Sequence, residues 1–223
     1  MLYQLADNGL KSGRASGNVY QKNGRVRKMT VPSLVQNAFT TAVRARLGAQ
    51  SSSWNALTDA QRATWVNASG FTGVDRFGRS FSLKGKQLFV QLNSNLINAG
   101  QAPITTAPLP SSVASVTEFA LTSDIGTSKI QLVSDLADVP AGTEMVVFAT
   151  APQSAGTASP SKGKYRQIAT VAAATSFPYN SYTKYIAKFG IPAIGSKMFF
   201  KVKLISASTG QASPESAASV TTA

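Results

Sequence analysis

The chain has 223 residues, 43% of them hydrophobic, with 22 lysines and arginines against nine acids, a net charge of +13, and neither histidine nor cysteine. The hydrophobic share excludes a wholly disordered chain, and the missing residue types exclude disulfides, thiolate metal sites and the commonest general base. The cationic excess calls for an anionic partner or an acidic neighbour. With no apolar run of membrane-spanning length and no apolar signal-peptide core, a soluble protein made in the cytoplasm is expected.

Residues 1–30 are polar and basic, with Lys11, Arg14, Lys22, Arg25, Arg27 and Lys28 against Asp7. In NVYQKNGRVRKMTV (18–31), Asn23-Gly24 has the preference for two positive-φ positions that a type I′ turn requires. A two-residue turn there pairs Lys22 with Arg25, Gln21 with Val26 and Tyr20 with Arg27, the last within reach of a cation–π contact. A hairpin of two strands is marginal in water, so this arm is expected to order against a partner; Tyr20, Lys22, Arg25, Arg27 and Lys28 are its candidate partner-binding residues. A simply solvated basic arm is the competing reading.

Residues 31–102 carry helical signals. In the first helix Val35, Ala38, Phe39, Ala42 and Val43 form one stripe, with Ser33 as cap and Gly48 as stop. Thr58 and Gln61 have capping-box spacing, which predicts a second helix of about ten residues. A third is expected where Leu88, Phe89, Leu92, Leu96 and Ala99 recur before Gly100. Between them VDRFGRSF (74–81) reads as a small β-turn excursion. Trp54, Leu57, Trp65, Leu88, Phe89 and Leu92 are the expected core of this module, with an exposed aromatic platform as the lesser alternative.

Three prolines in APITTAPLP (102–110) exclude a continuing helix and mark 103–110 as a linker. The remainder, 111–223, has the spacing of about seven strands, expected at 113–122, 129–134, 143–150, 164–173, 197–206 and 211–221, with a short helix within 180–190. In KMFFKVKLIS, Phe200, Val202 and Leu204 alternate with Lys201 and Lys203, one face buried and the other wet. The predicted fold class is therefore α+β: basic hairpin arm, small helical module, and an all-β sandwich.

WNALTDAQRATWVNAS fits a W-x-x-L-[ST]-x-A-Q-R-x-x-W pattern and GKQLFVQLN fits G-x-Q-L-F-x-x-L-N. With FPYNSYTKYIAKFGIPAIGSKMFFKVKLISASTGQAS downstream, roughly residues 15–220 resemble a loosely characterised group of phage and prophage proteins. In that group the two helical motifs precede an immunoglobulin- or fibronectin-like domain. The resemblance implies a virion-associated structural protein in multiple copies that contacts other virion proteins through arm and sandwich. Head decoration or head lining is favoured over a tail or fibre place. It carries over no catalytic or binding residues.

Enzyme motifs are weak. GVDRFGRS (73–80) resembles a phosphate loop with Arg79 in the lysine position, but it lacks the strand-to-helix setting such a loop needs. SYTK (181–184) has serine-x-x-lysine spacing without the partner motifs of penicillin-recognising enzymes. Asp135 with Asp138 reads as a strand-turn loop, with calcium the minor alternative. No catalytic residue, cofactor or metal is expected. Residues 1–48 carry eight basic and one acidic residue (+7) and residues 111–223 nine and six (+3), so the excess is concentrated in the arm and first helix. This leaves weak, non-specific nucleic-acid contact by the arm as the second functional class.

Overall fold

The computed structural model describes residues 13–15, 18–20, 26–28, 38–75 and 77–222. The chain divides into two compact units, Met1–Val43 and Arg44–Ala223. The described part contains α-helices and several antiparallel sheets, a mixed α+β protein.

In the first unit, β1 (Gly13–Ala15), β2 (Asn18–Tyr20) and β3 (Val26–Lys28) form a three-stranded antiparallel sheet in the order β1-β2-β3. The expected hairpin is therefore present, with an additional strand on its N-terminal side. Its register differs from expectation: Tyr20 lies opposite Val26, and Val19 opposite Arg27. That pairing leaves five residues, 21–25, between Tyr20 and Val26. An odd number is incompatible with a two-residue turn, and loop length sets hairpin register. Asn23-Gly24, Gln21, Lys22 and Arg25 lie outside the described residues.

Helix α1 (Ala38–Ala56) begins in the first unit and ends in the second. It runs through Gly48, the expected stop. One glycine costs a helix only about 1 kcal/mol relative to alanine, and the downstream end is anchored where Trp54 packs against the core of the helical module. The expected buried stripe is corrected at Ala42 and Val43, which are exposed; Ser33 and Val35 lie outside the described residues. The last turn of α1 is closed from the side, as Arg62 donates from Nε and Nη2 to the Leu57 carbonyl at 3.1 and 2.8 Å.

Helix α2 (Asp59–Val66) starts with the predicted capping box: the Gln61 N–H donates to the Thr58 hydroxyl, and the Thr58 N–H donates to the Gln61 side chain. A small hairpin, β4 (Thr72–Val74) and β5 (Ser80–Ser82), occupies the expected excursion and leads into α3 (Gly85–Asn98). Leu57, Trp65, Leu83, Leu88, Phe89 and Leu92 form one buried cluster, with Trp54 half-buried against it. Both tryptophan rings meet Phe89 edge-on, at 5.4 and 5.2 Å.

Residues 103–110 form neither helix nor strand, as three prolines require, yet they are strapped to the helices. The Trp65 indole donates to the Thr105 carbonyl at 2.8 Å, and Asn93 both accepts from the Ile104 N–H and donates to its carbonyl. At the far end Gln211 holds the Leu109 carbonyl and the Ser111 N–H.

The β-rich part contains two sheets. Strands β6 (Phe119–Asp124), β7 (Lys129–Ser134) and β10 (Tyr179–Asn180) form one in the order β10-β7-β6. Strands β8 (Thr143–Ala149), β9 (Arg166–Val171), β11 (Lys197–Ser206) and β12 (Ser216–Thr221) form the other in the order β12-β11-β8-β9. Their facing residues share a core that includes Ile130, Leu132, Met145, Val147, Val171, Met198, Phe200, Val202 and Leu204. Helix α4 (Tyr182–Phe189), within the segment expected to be helical, closes that core through Tyr185, whose hydroxyl donates to the Thr150 carbonyl at 3.0 Å.

Strand ends differ from expectation in β6, β8, β9 and β12; β8 stops one residue early, at Ala149, and β9 is two residues shorter at each end. Residues 113–118 are outside β6, although Val113 and Val116 pack into the core without ladder bonds. The last strand starts at Ser216, because Pro214 has no N–H for the ladder and the preceding residues form only an isolated bridge at Ala212.

Candidate interaction surface on the four-stranded sheet

The side chains of β11 alternate between the two faces of its sheet. Met198, Phe200, Val202 and Leu204 point into the shared core. Lys197, Phe199, Lys201, Lys203 and Ile205 therefore point outward. Helix α3 covers one half of this outer face: Ala99 is buried against Val146 and Ile205, with Phe148 at the margin. Polar contacts fix the cover. The Asn98 carbonyl accepts from Gln167 and the Thr170 hydroxyl, and Asn95 donates to the Gly210 carbonyl while accepting from the Lys203 ammonium at 3.2 Å.

The other half is open and holds a pocket of about 200 Å³ lined by Phe148, Lys162, Tyr165, Lys201 and Glu215. Lys201 comes from β11, Glu215 from just before β12, Phe148 from β8, and Lys162 and Tyr165 from the turn that enters β9. The Lys201 ammonium is 3.1 Å from a Glu215 carboxylate oxygen and 4.6 Å from the centre of the Tyr165 ring. Two more lysines of the strand also lie over aromatic rings: Lys197 over Phe199 at 5.3 Å and Lys203 over Phe148 at 5.7 Å.

Burial lowers the Lys203 pKa, against the opposing pull of the Glu215 charge. Burial also raises that of the Tyr165 phenol, with the Lys201 charge pulling the other way. The two lysines that line the pocket, Lys162 and Lys201, suit the binding of an oxyanion.

None of the pocket residues stands out as a site from sequence. The alternation in KMFFKVKLIS makes Lys201 and Lys203 outward-facing, but the rings beneath them and Glu215 beside Lys201 come from other strands. Only strand register brings them together.

Of the expected arm residues, Tyr20 lies in β2 and Arg27 and Lys28 in β3, while Lys22 and Arg25 lie outside the described residues. The Tyr20–Arg27 pairing does not occur, since Arg27 is registered opposite Val19. The expected core residues Leu57, Trp65, Leu88, Phe89 and Leu92 are buried, with Trp65 at 0% exposure.

The phosphate-loop look-alike is the β4–β5 hairpin, with Gly78 in its turn at φ +81° and no following helix start of the required kind. Its Asp75 carboxylate accepts from the Phe77 and Arg79 N–H groups and from the Arg79 side chain. Ser181 is fully buried and its hydroxyl donates to the Ile130 carbonyl, a structural bond. Asp135 accepts from Thr117 and Ser134. Among the described residues no three acidic side chains gather as a metal site, and no helix is long and apolar enough to cross a membrane.

No protein-family model matches the chain, and no curated protein matches it.

Proposed function

We propose that the protein is a structural, non-enzymatic component of a bacteriophage virion. It is head-associated, as a decoration or head-lining subunit, and is attached to other virion proteins through its basic N-terminal segment. The observation that carries the docking role is the division of the chain: Met1–Val43 is a compact unit of its own, built on three short paired strands. Short strands of this kind gain stability chiefly by covering another surface. The virion assignment rests on the motif resemblance at Trp54–Trp65 and Gly85–Asn93.

The β-rich part is read as an immunoglobulin-like sandwich of the fibronectin type. Numbering its seven strands A, B, C, C′, E, F and G in chain order gives sheets A-B-E and C′-C-F-G from the observed strand orders. Small sandwich domains of this kind serve many functions, so the arrangement supports a binding module without naming its ligand.

The test replaces Arg25, Arg27 and Lys28 with serine in the full chain. The melting curve should be unchanged and incorporation into particles should fall. Unchanged incorporation refutes the docking role. Tight DNA binding by the purified wild-type protein at physiological salt, abolished by the same substitutions, would replace it with a nucleic-acid role, since phosphate contacts announce themselves by steep salt dependence.

A further inference from the structure

We propose that the open half of the four-stranded sheet's outer face docks onto the acidic side of a second copy of this chain, in a repeating head-to-tail contact. The inference goes beyond arm docking and stands apart from it.

The first observation is the basic pocket. Lys162 and Lys201 face it from two sides, and Glu215 already seats one carboxylate on Lys201 at 3.1 Å. Lys201 is thus already paired within the chain, whereas Lys162 takes part in no ion pair among the described residues, which leaves its charge for a partner's carboxylate.

The second observation selects protein over nucleic acid. Single-stranded nucleic acid is held by stacking bases on uncovered aromatic faces. Here Phe199, Tyr165 and Phe148 each have a lysine ammonium over the ring, at 5.3, 4.6 and 5.7 Å.

The third observation is a complementary surface on the same molecule. On the three-stranded sheet the Asp135 N–H donates to the Glu118 carbonyl, one step beyond the Phe119–Ser134 pair, so Glu118 and Asp135 are cross-strand neighbours. Phe119 packs into the core, which turns the flanking Glu118 outward by strand alternation. Asp138 follows on the same chain segment beside buried Val139, and all three acids are exposed. None takes part in an ion pair among the described residues.

Because the two sheets share one core between them, the basic and acidic surfaces look away from each other. A contact between unlike surfaces of identical chains leaves a free surface of each kind at its ends. It therefore propagates into a ring or an open array. Charge complementarity of this kind fixes register and partner choice.

The experiment is sedimentation velocity on the purified full chain across a concentration series. The wild type should associate reversibly at about 50 mM salt, with the dissociation constant rising at least about tenfold at about 500 mM as screening shortens the reach of each charge. The charge-reversed variants K162E/K201E and E118K/D135K should each stay monomeric while retaining folded circular dichroism spectra and cooperative melts. Their equimolar mixture should associate again, because each then meets its complement. The R25S/R27S/K28S chain should still associate, which separates this contact from arm docking.

A wild type that stays monomeric at low salt, variants that self-associate as well as wild type, or a mixture that stays monomeric would overturn the proposal. So would retardation of a single-stranded oligonucleotide at physiological salt that K162E/K201E abolishes, which would assign the face to polynucleotide instead.

Discussion

Gly210 sits at the end of the turn between β11 and the bridge at Ala212, with φ +72°, and packs directly on helix α3. A Cβ added there would lie 2.3 Å from the Leu92 carbonyl oxygen, 2.9 Å from its carbon and 3.0 Å from Leu96 Cγ. Gly210→Ala therefore carries two costs. The left-handed backbone conformation costs a non-glycine residue about 1–2 kcal/mol. The clash adds to this, because the obstructing atoms are helix backbone and cannot rotate aside.

Moving the turn away would break the 2.9 Å bond from Asn95 to the Gly210 carbonyl, worth about 1 kcal/mol. It would also loosen the packing on Leu96, and overpacking of this kind costs about 1–3 kcal/mol. The expected total is about 3–6 kcal/mol. Gly142 is the internal control: its φ is +73° with nothing within 4 Å of an added Cβ. Gly142→Ala should cost only the backbone component, about 1–2 kcal/mol. Urea denaturation of both variants, followed by far-ultraviolet circular dichroism and tryptophan fluorescence, gives the difference. If Gly210→Ala costs no more than Gly142→Ala, the close approach of turn and helix is refuted.

Trp65→Ala should destabilise the helical module by about 3–5 kcal/mol through lost burial and the cavity left against Phe89. Trp65→Phe should cost less, mostly from the orphaned Thr105 carbonyl, and equal melts for wild type and Trp65→Ala would contradict the packed-core placement. Tyr185→Phe removes the bond to the Thr150 carbonyl inside the core and should lower stability by about 1–2 kcal/mol in the same denaturation assay. The Asp135 carboxyl is held below the usual aspartate value chiefly by the Thr117 hydroxyl, so its folded pKa lies below the unfolded one of about 3.9. Its stabilisation is complete above the unfolded value and is lost as pH falls through the folded one. Thermal melts across that range should show a smaller acid-side decline for Asp135→Asn, and a carboxyl titration by NMR at or above the free value would contradict it.

Local chemistry determined by itself the elements whose signals are short-range. The Thr58/Gln61 capping box marked the start of α2, since both of its hydrogen bonds span only three residues. Period-two alternation marked β11 and its buried face, since every second side chain must share a side. The hydrophobic period placed Leu88, Phe89 and Leu92 in a core. Tertiary structure decided what depends on distant partners. Gly48 did not end α1, because anchoring of Trp54 downstream outweighs one glycine's propensity. The arm register changed by one residue, because it depends on how many residues the loop contains.

Residues 103–110 read as a linker, yet side chains from α2, α3 and the segment before β12 hold them along the helical module. The pocket of Lys162, Tyr165, Lys201 and Glu215 belongs to the same class. Its residues span more than fifty positions of sequence, and a salt bridge or a ring under an ammonium is defined by cross-strand register, which single-strand alternation does not specify. Sequence alone thus determined which segments fold and which of their faces are apolar, while the tertiary structure decided which charges meet.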